Sequence, residues 1–244
     1  MEKKMKAAGV GSFYRYYKLI AGENGDERLR FLDSVTINET YFFRNTPQFE
    51  MLRERVLPEL IDSKRRQREY SLSVWSAGCS SGEEPYSIAM ELCEAIPDAA
   101  MWNLRITASD ISLRCLELAA AARYPREKLA DVPEKYLCKW FKQTGDVYEV
   151  KDSIKKYVTF DYHNLRHENG MRGYDMIFCR NVMIYFNEDQ QRQVVAKFAV
   201  SLNEGGYLFL GHAESLQGIT SNGEFKFHCW NKGTVYQKAG APHG

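Results

Sequence analysis

The stretch LSVWSAGCSSGEEPYSIAM, residues 72–90, sets how the rest of the chain is read. Leu72 to Ala77 reads as a strand. Gly78 and Gly82 flank small residues, and a helix starts at once over EEPYSIAMELCEA. Ile88, Ala89, Leu92 and Ala95 lie along one face of that helix. Glycine lets a backbone approach a ligand closely and take positive φ. Free N–H groups at a helix start can meet oxygen atoms of that ligand. The loop is not G-x-G-x-x-G and has no G-K-[ST], which disfavours a dinucleotide or a nucleoside triphosphate.

The acids Glu83 and Glu84 would repel a phosphate there. They suit sugar hydroxyls or a cation, so a ligand with a ribose and a positive sulfonium or ammonium fits better. The plain alternative is that Ser81 and Glu84 form a capping box, with Pro85 in the first turn.

Outward from this stretch, strand and helix alternate. LRITASD is a second strand ending at Asp110, and SLRCLELAAAA is a helix with Ser112 as N-cap. YDMIFCR, Tyr174 to Arg180, is apolar enough for a central parallel strand. NEDQQRQVVAKFAVSLNEGG is a helix with Asn187 and Gln190 as capping box and Gly205 and Gly206 as its stop. GYLFLGH is another strand, and FKFHCW and TVYQKA form a closing hairpin. Upstream, Pro47 to Ile61 is a helix carrying Phe49, Leu52, Val56, Leu57 and Leu60. The run SKRRQRE suits its C-terminus, as a solvated end or as a partner patch. SFYRYYKLIA (Phe13, Tyr16, Tyr17, Ile20) and RLRFLDSVT give a small helical appendage. The alternation predicts an open α/β sheet with helices on both faces. Residues 124–157 break the rhythm and read as a small antiparallel insertion with a helix.

The chain has 244 residues, 44% hydrophobic and 27% charged, the balance of a soluble globular protein. A net charge of +1 argues against a global grip on nucleic acid. No apolar stretch approaches the roughly 20 residues of a membrane span. The N-terminus has no apolar signal-peptide core. Six scattered cysteines without a C-x-x-C pair disfavour zinc and suggest a reduced, cytoplasmic protein with buried thiols.

Ligands of open parallel sheets bind beyond the strands' carboxyl ends. Asp110 is therefore a candidate for ribose hydroxyls, or else a helix N-terminal acid. Arg180 and Asn181 follow the apolar strand, with Tyr185 close behind. Turn formation by Asn181 and core packing by Tyr185 is the bland alternative. TINETYFFR interleaves Thr36, Asn38, Thr40 and Arg44 with aromatics, and on spacing alone it is an ordinary capped helix.

TINETYFFR, WSAGCSSGEEPYSIAM, ASDIS and FCRNVMIYF, in that order, resemble the motifs of the chemotaxis receptor methyltransferases, the CheR-type family. The likeness runs from about Gly11 to Tyr236. It implies a Rossmann-like S-adenosylmethionine-dependent methyltransferase sheet with a small antiparallel β-subdomain insertion and a short N-terminal helical segment. The implied domains are residues 1–35, a remnant of an N-terminal helical domain, and 36–244, the methyltransferase domain, with the insertion at 124–157. The implied cofactor contacts are Asn38, Thr40, Arg44, Gly78, Glu84 (or Glu83), Asp110, Asn164, Leu165, Arg180 and Asn181. Arg44 and Tyr185 are implied to lie nearest the methyl group, as catalytic residues; no metal is implied.

The implied activity is methyl transfer from S-adenosylmethionine to glutamate carboxylates of the cytoplasmic domain of chemoreceptors. Alternatives are another acceptor, or a cofactor-binding sensor or scaffold without turnover. Family members carry a longer helical N-terminal domain that contacts the receptor's methylation region; here only its last part is expected, before Val35. The loop in KQTGDVYEV is short, which speaks against tail-peptide tethering. A glutamate carboxylate is already ionised at pH 7, so no general base is required.

Overall fold

The computed structural model describes residues 2–22, 27, 31, 39–168, 170–220 and 223–240. Along the chain these form α1 (Glu2–Ala7), α2 (Phe13–Ala21), α3 (Thr46–Met51), a π turn (Leu52–Val56) and α4 (Leu57–Arg66). Then come β1 (Ser71–Ala77), α5 (Glu83–Ala95), β2 (Asn103–Asp110), α6 (Leu113–Ala121), β3 (Arg123–Pro125), α7 (Glu134–Trp140), β4 (Phe141–Thr144), β5 (Val147–Val150) and α8 (Asp152–Lys155). The chain continues through β6 (Val158–Tyr162), β7 (Tyr174–Cys179), α9 (Glu188–Ser201), β8 (Leu202–Leu210), β9 (Phe225–Trp230) and β10 (Gly233–Lys238).

The main sheet has the order β6-β2-β1-β7-β8-β10-β9. The first five strands are parallel, and β10 and β9 close the sheet antiparallel. The chain winds outward from β1 through β2 to β6, then returns to the other side with β7. The order reverses between β1 and β7, so the carboxyl ends of those strands flank the crevice in which such sheets bind ligands. All six residues of β7 are buried, as a strand covered on both faces requires.

The expected insertion is present as a three-stranded sheet of order β3-β5-β4 with α7 and α8 beside it. Its β4–β5 hairpin turns on Gly145 and Asp146 alone, with Gly145 at φ +59. Phe42 joins this insertion to the segment ahead of the main sheet. Its ring lies edge-on to Tyr124 and Phe141, at 4.9 and 5.2 Å. Burying such a ring contributes about 1.5–3 kcal/mol.

Several expectations need correction. The helix from Pro47 runs on to Arg66 but widens into the π turn at Leu52–Val56. Pro58 supplies no N–H and its ring crowds the carbonyl four residues back. The Leu57 N–H accordingly donates five residues back, to Leu52. The cations after it are not merely solvated: Lys64 pairs with the buried Asp175 at 2.9 Å.

Helix α9 carries its capping box but stops at Ser201, not at the glycine pair. Gly205 and Gly206 lie inside β8, where the register slips between Tyr174 and Met176. A Cβ on Gly206 would sit 2.9 Å from the Asn203 carbonyl oxygen, so close backbone approach demands glycine there. Of the helically spaced aromatic residues of α2, Tyr16 is buried while Phe13 and Tyr17 are exposed. Most of RLRFLDSVT lies outside the described residues. The thiols divide: Cys79, Cys115 and Cys179 are buried, Cys138 and Cys229 exposed.

Candidate active site

The glycine loop after β1 is braced by β2. Gly78 and Cys79 donate their N–H groups to the Ser109 carbonyl at 2.8 and 2.9 Å. The Asp110 carboxylate accepts from the Ser80 N–H at 2.8 Å and the Ser112 N–H at 2.9 Å. It therefore ties the glycine loop to the start of α6, which is the helix N-terminal role of the two read from the sequence. The loop N–H groups of Gly78, Cys79 and Ser80 are thus used by the end of β2. Gly78 stands at φ +89, and a Cβ there would lie 2.4 Å from Val182 Cγ2. The loops after β1 and β7 pack on each other only because Gly78 has no side chain.

No capping box forms at α5. Its N-cap is Gly82 at φ +94, and the Ser81 hydroxyl instead donates to Glu83. The two acids part ways. Glu83 is fully buried, faces Lys128 at 3.3 Å, and its carboxyl is pushed up by burial. Glu84 turns to the crevice.

A charged centre forms there. Glu84 accepts from the Ser76 hydroxyl at 2.7 Å and from Arg180 at 3.2 Å. The second Arg180 amino group donates to the Arg44 carbonyl. The Arg180 and Glu84 side chains are 3% and 13% exposed, so their charges meet with little screening. Burial raises the Glu84 carboxyl above its ordinary value, opposed by the Arg180 and Arg44 charges. Burial likewise lowers Arg180, opposed by Glu84. Among the described residues, Arg180 Nε is buried with no hydrogen-bond partner.

Arg44 reaches this centre on a segment that is not the capped helix its spacing suggested. Residues 39–45 are non-helical, and Phe43 and Asn45 take φ values of 56 and 65°. Such values are uncommon outside glycine and must be held from outside. Phe43 N–H donates to Ser87 Oγ at 3.0 Å, Phe42 N–H to the Lys128 carbonyl at 3.1 Å, and the Lys128 ammonium to the Thr40 carbonyl. Thr40 is buried. The Arg44 guanidinium donates to the Glu39 carbonyl at 2.6 Å and lies 5.9 Å over the Tyr41 ring.

After β7, Asn181 takes φ 59 and makes the turn. Tyr185 follows on a short 3-10 turn, Met183–Tyr185, and is 56% exposed, so it is not a core residue. After β6, the His163 N–H donates to the Asp110 carbonyl at 3.0 Å, which brings HNLR beside Asp110. Asn164 accepts from the Arg166 N–H at 3.0 Å, and Leu165 is buried.

Arg180 thus joins Glu84 and the Arg44 carbonyl directly, and Asn181 follows it in the turn. Gly78, Asp110, Asn164 and Leu165 join through adjoining loops. Asn38 lies outside the described residues. The sequence reading passed over Ser76, Lys128, Ser87 and Glu214. Glu214 had a usable signal, an acid just beyond the end of β8. Two surface hollows of about 470 and 540 Å³ lie elsewhere, against Phe225 and Lys238 and against Trp140 and Tyr157. Among the described residues no group of three or more His, Cys, Asp or Glu side chains is placed to hold a metal, and no helix is long and apolar enough to cross a membrane.

A switch-point crevice with a braced glycine loop, a strand-end acid on β2 and no phosphate-type loop defines a nucleoside-binding transferase of the methyltransferase class. Residues 38–232 match the family model described as CheR methyltransferase, SAM binding domain, and the chain belongs to that family. It is 36% identical over 219 residues to a chemotaxis protein methyltransferase of Borreliella burgdorferi, covering 88% of this chain and 77% of that one. A chemotaxis protein methyltransferase of Vibrio parahaemolyticus is 38% identical over 240 residues, 96% of this chain and 84% of its own. Chemotaxis protein methyltransferase 1 of Vibrio cholerae is 37% identical over the same length and shares. The chain is an S-adenosylmethionine-dependent methyltransferase, and the reading of it as a module without turnover is not favoured.

Proposed function

We propose that this chain transfers a methyl group from S-adenosylmethionine to glutamate side chains on the cytoplasmic domain of chemoreceptors, and that it works in the cytoplasm. The observation that carries the reading is the Arg44–Glu84–Arg180 centre at the sheet's switch point. The relatives' names supply the chemotactic setting.

The donor set fits the cofactor. Asp110 is an acceptor-only carboxylate at the end of β2, a chemistry that suits ribose hydroxyls, and Glu84 offers negative charge toward a cation. Arg180 Nε is a buried donor without a partner among the described residues, suited to a carboxylate. Gly78, Asn164, Leu165 and Asn181 would complete the walls, with Thr40 on the segment that carries Arg44; Asn38 is the remaining proposed contact. The bound cofactor supplies a methyl group on a positive sulfur. The chain's own residues exclude water, align the acceptor and set the local field. Arg44 is placed to hold a carboxylate by a forked contact, that of the cofactor or that of the substrate glutamate. Tyr185, exposed at the rim, is placed to contact the acceptor. The two-residue β4–β5 turn supports a mode of action without tail-peptide tethering.

Arg44→Ala is expected to lower methyl transfer at least about tenfold, equivalent to about 1.4 kcal/mol. The fold should survive, because Arg44 is only half-buried and its carbonyl bond to Arg180 needs no side chain. Turnover of a receptor cytoplasmic fragment, with circular dichroism as control, measures this. Near-normal turnover would remove Arg44 from the mechanism.

A further inference from the structure

We infer that Glu214 is a positioning residue for methyl transfer, holding the turn after β7 in its working shape. The inference rests on the proposed function of the crevice.

Strands β7 and β8 end side by side, with Cys179 opposite Leu210. Beyond that point the two chains diverge, and the Glu214 carboxylate joins them. One oxygen accepts from the Gly211 N–H at 2.6 Å and the Asn181 N–H at 2.9 Å. The other accepts from the Ile184 N–H at 3.2 Å. Three backbone donors from two loops converge on one anionic group, and bonds to an ionised acceptor are roughly twice as strong as neutral ones. Space for the carboxylate depends on Gly211. A Cβ there would lie 2.6 Å from the Glu214 oxygen and 2.8 Å from the Asn181 nitrogen.

The turn so held does two things. It keeps Asn181 in a left-handed conformation, next to Arg180, whose side chain runs back to Glu84 and to the Arg44 carbonyl. It also fixes the 3-10 turn bearing Tyr185, because the Ile184 N–H is one of the three donors. Glu214 touches none of the reacting atoms; it acts through Asn181 and Tyr185. The role needs an acceptor-only group. A glutamine would aim its own amide hydrogens at a backbone N–H.

The test compares wild-type chain with Glu214→Gln, Gly211→Ala and the double variant. Turnover of a receptor cytoplasmic fragment gives kcat and KM, calorimetry gives adenosylhomocysteine affinity, and thermal unfolding gives Tm. Each single variant is expected to lower kcat at least about tenfold, with receptor KM changed less than about threefold. Tm should fall by no more than about 4 °C. The double variant should be no slower than the slower single, since both changes undo one junction. A merely structural role would lower Tm and leave kcat per folded molecule unchanged, and that result overturns the inference. So does additive loss in the double variant. A wild-type chain that methylates beside an equally active Glu214→Gln sinks this inference alone. A wild-type chain that neither binds adenosylhomocysteine nor methylates sinks the proposed function with it.

Discussion

Arg180→Ala is expected to cost about 3–5 kcal/mol of stability, because it strands a buried carboxylate. Glu84 would keep the Ser76 hydroxyl as its remaining hydrogen-bond donor. The Glu84 side chain is 13% exposed, too little for water to replace a guanidinium. The Arg44 carbonyl would also lose its donor, leaving the segment that carries Arg44 held through Phe42, Phe43 and Thr40. Urea unfolding measures the loss, and calorimetry with adenosylhomocysteine measures the accompanying loss of binding. Should the single variant fail to fold, Arg180→Met combined with Glu84→Leu separates the two effects. Removing both charges should restore most of the stability, since an apolar pair avoids the desolvation cost. Binding should stay lost. Recovery of both together would show that the pair serves the fold alone. Arg180→Lys is not a conservative change here, since one ammonium cannot bridge Glu84 and the Arg44 carbonyl as the fork does.

Asp110→Ala should weaken cofactor binding at least about 100-fold, equivalent to about 2.7 kcal/mol. The change removes the acceptor of two backbone N–H groups, each such bond to a charged acceptor contributing about 1.5–3 kcal/mol. It also removes the candidate ribose partner. Both losses fall on the glycine loop, which Asp110 holds through Ser80. Asp110→Asn separates shape from charge. It retains one acceptor oxygen and should fall between wild type and alanine. Unchanged affinity by calorimetry in the alanine variant would take Asp110 out of the site.

The sheet was legible because its signals are local. The burial of β7, the Asn187–Gln190 capping box and the Ser112 N-cap each follow from a few neighbouring residues. What escaped depends on contacts distant in sequence. The TINETYFFR segment has helical spacing, yet Lys128 and Ser87, some 44 to 88 residues away, hold its described part out of a helix. Gly205 and Gly206 look like a helix stop, but the backbone of Asn203 and Asp175 lies too close for any other residue at Gly206. Glu84 and Arg180 meet because β1 and β7 are neighbours in the sheet, and Ser87 and Lys128 hold the segment bearing Arg44 beside them. A sequence places Arg180 and Asn181 just beyond one strand and Glu84 on the helix that follows another, while only the sheet order makes those two strand ends adjacent. The division of labour between Glu83 and Glu84 was equally out of reach, since one helical step turns one acid inward to Lys128 and the other to Arg180.

The most direct test of the account incubates the purified chain with methyl-labelled S-adenosylmethionine and a chemoreceptor cytoplasmic fragment, then treats the product with mild base. Label appearing on the fragment's glutamates and leaving as methanol under base is the predicted result. Label that stays fixed through base, or a fragment that acquires none while the chain binds the nucleoside, would contradict it.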